Sequence, residues 1–96
     1  MLKNIDTKIL NLDGTPALNG QKEASMKDLI IDCLMDGSLL DQGASGEDKL
    51  KNYLLAVRCK DGGEVDLSIE DLALLKKLVG KKYAPLAVGQ FYQFCD

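Results

Sequence analysis

Four lysines and one tyrosine gather in a short stretch of the second half of the sequence, and these residue types suit an anion. The possible anion-binding residues are Lys76, Lys77, Lys81, Lys82 and Tyr83. Ammonium groups beside an aromatic ring fit a nucleotide or a phosphorylated ligand. Phosphates prefer helix N-termini, however, and lysines at a helix C-terminus also complement the helix dipole. The cluster therefore predicts either a site for a small anionic ligand or an ordinary solvated helix end.

Three aspartates repeat at intervals of four residues, which places them on one side of a helix. They are Asp28, Asp32 and Asp36. A stack of carboxylates suits a divalent cation, a basic partner or an inhibitor that mimics nucleic acid. The spacing of an EF-hand is missing, and a polar face opposite a core stripe has the same appearance. The solvated face is the simpler interpretation.

The last residues of the chain carry an apolar helical face that is broad for a terminal helix. The predicted protein interface consists of Val88, Phe91, Tyr92 and Phe94. An exposed aromatic surface of this kind marks an interaction site, which a partner protein or a second copy would cover. Complete burial of the helix within its own domain is the competing interpretation.

Residues for catalysis are missing. The chain contains no His, which removes the commonest general base and the commonest metal ligand. Cys33, Cys59 and Cys95 are too widely spaced for a zinc site or a disulfide framework and are predicted to act as small hydrophobes. Neither a glycine-rich nucleotide motif nor a nucleophile elbow occurs. We expect no enzyme, no catalytic residues, no cofactor and no metal.

Length and charge limit the classes of partner. The 96 residues fit one domain, 1–96, and the 46% hydrophobic and 28% charged residues are typical of a globular protein. The net charge of -3 offers no basic excess for phosphates, so duplex nucleic acid is not expected as a partner. No signal peptide or membrane-spanning segment is recognisable, which predicts a cytosolic protein without membrane contact.

Four helices are predicted to position these groups. Ser25, Ser45 and Ser68 are suitable N-caps, and Pro85 suits the first turn of the fourth helix. The buried face of the first helix is predicted to consist of Met26, Leu29, Ile30, Cys33 and Leu34.

The next two helices also show apolar periodicity. The buried stripe of the second helix is predicted to consist of Leu50, Tyr53, Leu54 and Val57, with Lys49, Lys51 and Asn52 facing water. The buried face of the third is predicted to consist of Ile69, Leu72, Leu74, Leu75, Leu78 and Val79. Gly80 is predicted to follow the end of that helix.

Short strands account for the remaining segments. Residues 8–12 read as a strand, and Asn19-Gly20 is the dipeptide of a type I′ hairpin turn. Residues 64–67 alternate polar and apolar and are predicted to pair with residues 8–12. The predicted fold class is α+β, mainly α, with about four short helices packed with a small β-hairpin or short sheet.

Several segments of the sequence resemble small uncharacterised proteins encoded by tailed bacteriophages and prophages. The segments are 8–14, 46–51, 63–68, 70–80 and 84–90. The resemblance spans most of the chain but includes no catalytic motif. It implies a phage origin and a location in the host bacterial cytoplasm or in the virion, and it assigns no site residue.

These observations predict a non-enzymatic, phage-encoded interaction protein. Its expected role is that of a virion-morphogenesis accessory or minor structural component, working through the apolar C-terminal helix on a protein partner or a second copy. The alternative is a counter-defence protein that binds a host immune protein or sequesters a nucleotide signal with the lysine cluster.

Overall fold

A computed structural model describes residues 1–96, which form four α-helices, one short 3-10 turn and two small antiparallel sheets. The helices are α1 (Met26–Leu34), α2 (Gly46–Cys59), α3 (Ile69–Lys82) and α4 (Pro85–Cys95). The strands are β1 (Leu2–Asn4), β2 (Leu18–Asn19), β3 (Lys22–Glu23) and β4 (Glu64–Asp66). The predicted α+β, mainly α, fold class is confirmed.

Serine capping boxes start the first three helices. The cap serines are Ser25, Ser45 and Ser68, and their partners three residues later are Asp28, Asp48 and Asp71. In each box the serine oxygen accepts the aspartate amide N–H, and the carboxylate accepts the serine N–H. Each such cap contributes about 1 kcal/mol. Helix α4 has no side-chain cap and begins with Pro85 as predicted.

One hydrophobic core joins the helices. Helix α1 packs against both α2 and α3, and α3 packs against α4. The side chains without any exposed surface include Ile5, Ile30, Leu67, Leu75 and Phe91. Helix α2 therefore lies at the edge of the helical layer, with α1 as its main neighbour.

Strand β4 pairs with the N-terminal strand β1, so its predicted pairing with residues 8–12 is wrong. In the observed register Leu2 faces Asp66 and Asn4 faces Glu64. The amino group of Met1 reinforces this pair by donating to Asp66 at 2.8 Å. Residues 8–12 form only isolated bridges, Lys8 with Ser25 and Leu10 with Pro16, so the predicted strand there is wrong as well.

The β2–β3 hairpin turns one residue later than predicted. Because Asn19 pairs with Lys22, the central residues of the turn are Gly20 and Gln21. Gly20 has a φ of 69°, and all residues with positive φ are glycines. A positive φ at the first central position alone belongs to a type II′ turn, so the predicted type I′ turn at Asn19-Gly20 is wrong.

Glycine is required where α2 ends. Gly62 has a φ of 75°, and a Cβ atom there would overlap the carboxylate of Asp6. That carboxylate accepts the N–H of Gly63 at 2.9 Å. The close approach fixes the path from α2 into β4.

Helix α2 faces the core with the side opposite to the predicted one. Its buried residues are Asn52, Leu55, Ala56 and Cys59. The residues predicted to be buried, Leu50, Tyr53, Leu54 and Val57, are all exposed. Helices α1 and α2 are in contact, and small buried side chains such as Ala56 and Cys59 permit a close approach of two helices. The prediction that Asn52 faces water is also wrong, since only 6% of it is exposed.

Two expectations for α3 are wrong. Ile69, predicted to be buried, is 75% exposed, because it is the first residue of the helix. Gly80 lies within the helix, which continues to Lys82 and is capped by Tyr83. Contacts of Lys82 and Tyr83 with Asp32 of α1 hold the additional turn in place.

The predicted buried face of α1 is confirmed in full.

Candidate functional site

The exposed apolar side chains of α2 form a continuous line on its solvent side. We call Leu50, Tyr53, Leu54 and Val57 the α2 stripe. Their exposed fractions are 53%, 55%, 51% and 38%, in that order. Residues separated by three, four and seven positions share one face of a helix. The stripe is therefore a single surface opposite the face that packs on α1.

Both ends of α2 are fixed, so the helix cannot rotate to bury the stripe. Its first turn is held by the capping box of Ser45 and Asp48. Its last turn leads into Gly62, which has a positive φ and lies against the carboxylate of Asp6, and into Gly63, whose N–H donates to that carboxylate. Between these ends, Leu55 and Cys59 are buried in the core. A rotation of α2 that buried the stripe would expose Leu55 and Cys59 to solvent.

Charged residues of both signs border the α2 stripe. Arg58 pairs with Asp71 of α3 at 2.8 Å, and Lys60 pairs with Asp61 at 3.3 Å. Glu47 lies in the first turn, where its charge suits the helix dipole. An apolar centre with a polar border is the usual arrangement of a protein–protein interface.

The C-terminal helix does not present its predicted interface as one exposed surface. Phe91 is fully buried, so the prediction that it faces a partner is wrong. Val88 and Phe94 are partly buried against the core, and only Tyr92, at 43%, is largely exposed. Most of the broad apolar face of α4 is buried, mainly against α3.

Lysines of the same chain cover the aromatic rings that α4 leaves near the surface. The ammonium of Lys3 lies 5.9 Å from the centre of the Phe94 ring, and that of Lys76 lies 5.4 Å from the centre of the Tyr92 ring. Cation–π contacts of this length are attractive. They further reduce the apolar surface that α4 offers to a partner.

The predicted anion-binding lysines are paired with carboxylates of their own chain. Lys77 and Lys81 both contact Asp41, at 3.1 and 3.3 Å. Lys76 instead contacts Asp96, the residue after α4, at 3.4 Å. The four lysines therefore do not converge on one site, and their charge is largely offset.

Lys82 and Tyr83 bind Asp32 of α1 and Asp36, which lies beyond the end of that helix as the N-cap of the 3-10 turn, so the prediction that Asp36 lies on the same helix is wrong. The Tyr83 hydroxyl donates to Asp32 at 2.6 Å, and Lys82 contacts Asp36 at 3.0 Å and Asp32 at 3.3 Å. Burial, together with the hydrogen bond to Asp32, raises the pKa of Tyr83. Asp28, the third member of the predicted carboxylate stack, serves the capping box of α1. Much of the acidic stack and of the lysine cluster is therefore one structural contact between α1 and α3.

Asp36 is expected to make stability fall in acid. Hydrogen bonds from Ser38, followed by the contact with Lys82, hold the pKa of Asp36 at about 2, below its usual 3.8. Because the folded-state value is the lower one, the stabilisation is complete above about pH 4 and is lost as the pH falls to about 2. Urea unfolding between about pH 4 and about pH 2 should show that the free energy of unfolding falls more steeply with pH for the wild type than for Asp36→Asn. An equally steep fall for both proteins would contradict the lowered pKa of Asp36.

Cys33 and Cys59 are buried, as their prediction as small hydrophobes requires, and the penultimate Cys95 is buried as well. Burial raises the pKa of the Cys33 thiol to about 11, so it stays protonated at neutral pH. No group of three or more acidic, cysteine or histidine residues is placed to hold a metal ion.

The α-helices are all too short or too polar to cross a lipid bilayer. Comparison of the chain with family models, with curated proteins and with solved structures finds no match.

Proposed function

We propose that the protein is a non-enzymatic interaction protein that works through the α2 stripe. The observation that carries the proposal is the exposure of about half of Leu50, Tyr53 and Leu54 on one face of a regular helix. Covering such a surface releases apolar area from water and favours association. The working surface thus lies on α2 and not on the C-terminal helix.

The proposed setting is the assembly of a tailed phage, as an accessory or a minor structural component. The resemblance of the sequence to phage-encoded proteins supports this setting. A rigid helix with an exposed apolar face is also a common way for a small protein to dock on another. The corresponding location is the host bacterial cytoplasm or the virion.

The alternative of a counter-defence protein that sequesters a nucleotide has less support. A nucleotide at the lysine cluster would have to displace Asp41 from Lys77 and Lys81. It would also have to separate Lys82 from Asp36. A counter-defence protein that binds a host immune protein would use the same α2 stripe.

Capture from phage-infected cells tests the proposal. Tagged wild-type chain is expected to retain a capsid or tail protein, and Leu54→Glu should reduce its recovery by about tenfold or more, because a charge replaces an apolar contact. Leu12→Glu is the matched control, since Leu12 is 97% exposed and lies outside the stripe. Equal recovery of the phage protein with wild type and Leu54→Glu would overturn the proposal.

A further inference from the structure

We infer that the cavity between α2, α3 and the loop of residues 40–44 binds the C-terminal end of an extended peptide whose last residue is aliphatic. Asn52 pairs with the backbone of this peptide, and Lys51 pairs with its terminal carboxylate. The site lies outside the α2 stripe, so it adds a second contact to the proposed function and does not depend on it.

The cavity has the size and the apolar wall of a small-ligand site. Its volume is about 360 Å³, and its lining includes Leu40 and Ala44 of the loop, Asn52 of α2, and Leu74 and Leu78 of α3. Sites for small ligands begin at about 300 Å³. Because the lining contains no aromatic ring on which a base could stack, an aliphatic side chain suits it better than a nucleotide.

Asn52 is a buried polar residue without a partner. Only 6% of it is exposed, yet its carboxamide forms no hydrogen bond within the chain. Every side-chain polar atom that is closed off from solvent does have a partner, so the Asn52 carboxamide opens into the cavity that it lines. Burying such a group without a hydrogen bond destabilises a fold, and native proteins seldom retain one. Its position therefore indicates a group that a ligand satisfies.

The carboxamide matches a peptide backbone. Its nitrogen donates and its oxygen accepts, so the side chain can bind the C=O and the N–H of an extended chain at the same time. An aliphatic side chain of that peptide would lie against Leu40, Leu74 and Leu78, which removes further apolar area from water.

The charges at the cavity favour an anionic end of the peptide. Asp41 contacts Lys77 and Lys81, at 3.1 and 3.3 Å, and Asp48 serves the capping box of α2. Lys51, which also lines the cavity, forms no ion pair within the chain. Three lysines thus face two carboxylates, which leaves one positive charge for a terminal carboxylate. Lys51 and Asn52 are adjacent in α2, so neighbouring residues hold the carboxylate and the backbone amide before it.

A second depression also touches Asn52. It lies on the other side of Leu40, and its lysine is Lys49. Because this depression is more open, we place the peptide in the cavity with Lys51. Substitutions of the two lysines tell the two positions apart.

Titration of the isotope-labelled chain with acetyl-alanyl-alanyl-leucine, followed by nuclear magnetic resonance, tests the binding. The amide signals of residues 40–44, 51–52 and 74–78 should shift and saturate, with dissociation in the range of about 0.1–10 mM. The same peptide with a C-terminal amide should bind about fivefold or more weakly, because it has no charge for Lys51. Absence of saturable shifts, or equal affinity of the two peptides, overturns the inference.

Asn52→Leu separates a binding residue from a structural one. Leucine is similar in size and has no polar group to pair, so this variant should lose the peptide while its melting temperature stays equal or rises. An Asn52→Leu variant that binds the peptide as well as the wild type overturns the inference. A lowered melting temperature would likewise mean that the carboxamide serves the fold and not a ligand.

Lysine variants, whose side chains lie near the surface, test the site without disturbing the core. Lys51→Gln should bind the carboxylate peptide as weakly as the amidated one, about fivefold or more below the wild type. Lys22→Gln, in the exposed strand β3, is the matched control and should behave as the wild type. Loss of affinity in Lys49→Gln but not in Lys51→Gln would place the peptide in the other depression and overturn the inference.

The titration and the capture experiment fail independently. A chain that binds no peptide but still retains a phage protein through Leu54 overturns only the peptide site. A chain that binds the peptide but retains no phage protein overturns only the proposed role of the α2 stripe.

Discussion

Replacing Phe91 by alanine is expected to lower the free energy of unfolding by about 3–5 kcal/mol. Phe91 has no exposed surface, and its ring lies 5.7 Å from that of Phe94. Removing it leaves a cavity in the core between α3 and α4, where the surrounding side chains can collapse only in part. Urea denaturation, followed by circular dichroism, measures the change.

Two further variants make this result interpretable. Tyr92→Ala, at a position that is 43% exposed, should lose less than about half as much stability as Phe91→Ala. If Phe91→Ala does not fold, Phe91→Leu retains most of the volume and should cost about 1–2 kcal/mol. A Phe91→Ala protein as stable as the wild type would mean that the ring faces outward, as the sequence pattern suggests.

Two adjacent leucines of α2 are expected to respond to alanine very differently. Leu55 is 5% exposed and Leu54 is 51% exposed. Leu55→Ala should therefore cost about 2–5 kcal/mol of unfolding free energy, as buried leucines do. Leu54→Ala, on the solvent side, should stay within about 0.5 kcal/mol of the wild type. Urea unfolding of each variant beside the wild type gives both values of the unfolding free energy.

The comparison has a built-in control. Both substitutions replace leucine by alanine within the same helix, so their effects on helix propensity are equal. The difference between them reports only which side of α2 packs on α1. Equal losses, or a larger loss at Leu54, would contradict the observed orientation and remove the exposed stripe.

The apolar pattern of α2 does not by itself show which side of the helix packs on the core. The helix has two apolar faces, one with Leu50, Tyr53 and Leu54 and one with Leu55 and Cys59. The first face has the larger side chains, so helical periodicity favours it as the buried face. The small residues of the second face were the available signal, because they permit the close approach of a neighbouring helix.

Local sequence determined where the helices begin and what caps them. Ser25, Ser45 and Ser68 each have an aspartate three residues later, and all three capping boxes form. Pro85 likewise starts α4. These features depend on residues within one helical turn of each other, so the local sequence is enough to predict them. The fold class follows from the same local signals.

Only the tertiary structure decided which surfaces meet. The pairing of β4 with β1, the contact of Lys82 with Asp36 and the burial of Phe91 join residues that are distant in the sequence. Helical spacing shows that side chains share a face but does not show what lies opposite that face. Because α1 occupies the centre of the layer, it fixes which side of α2 is covered, and the α2 stripe remains in solvent.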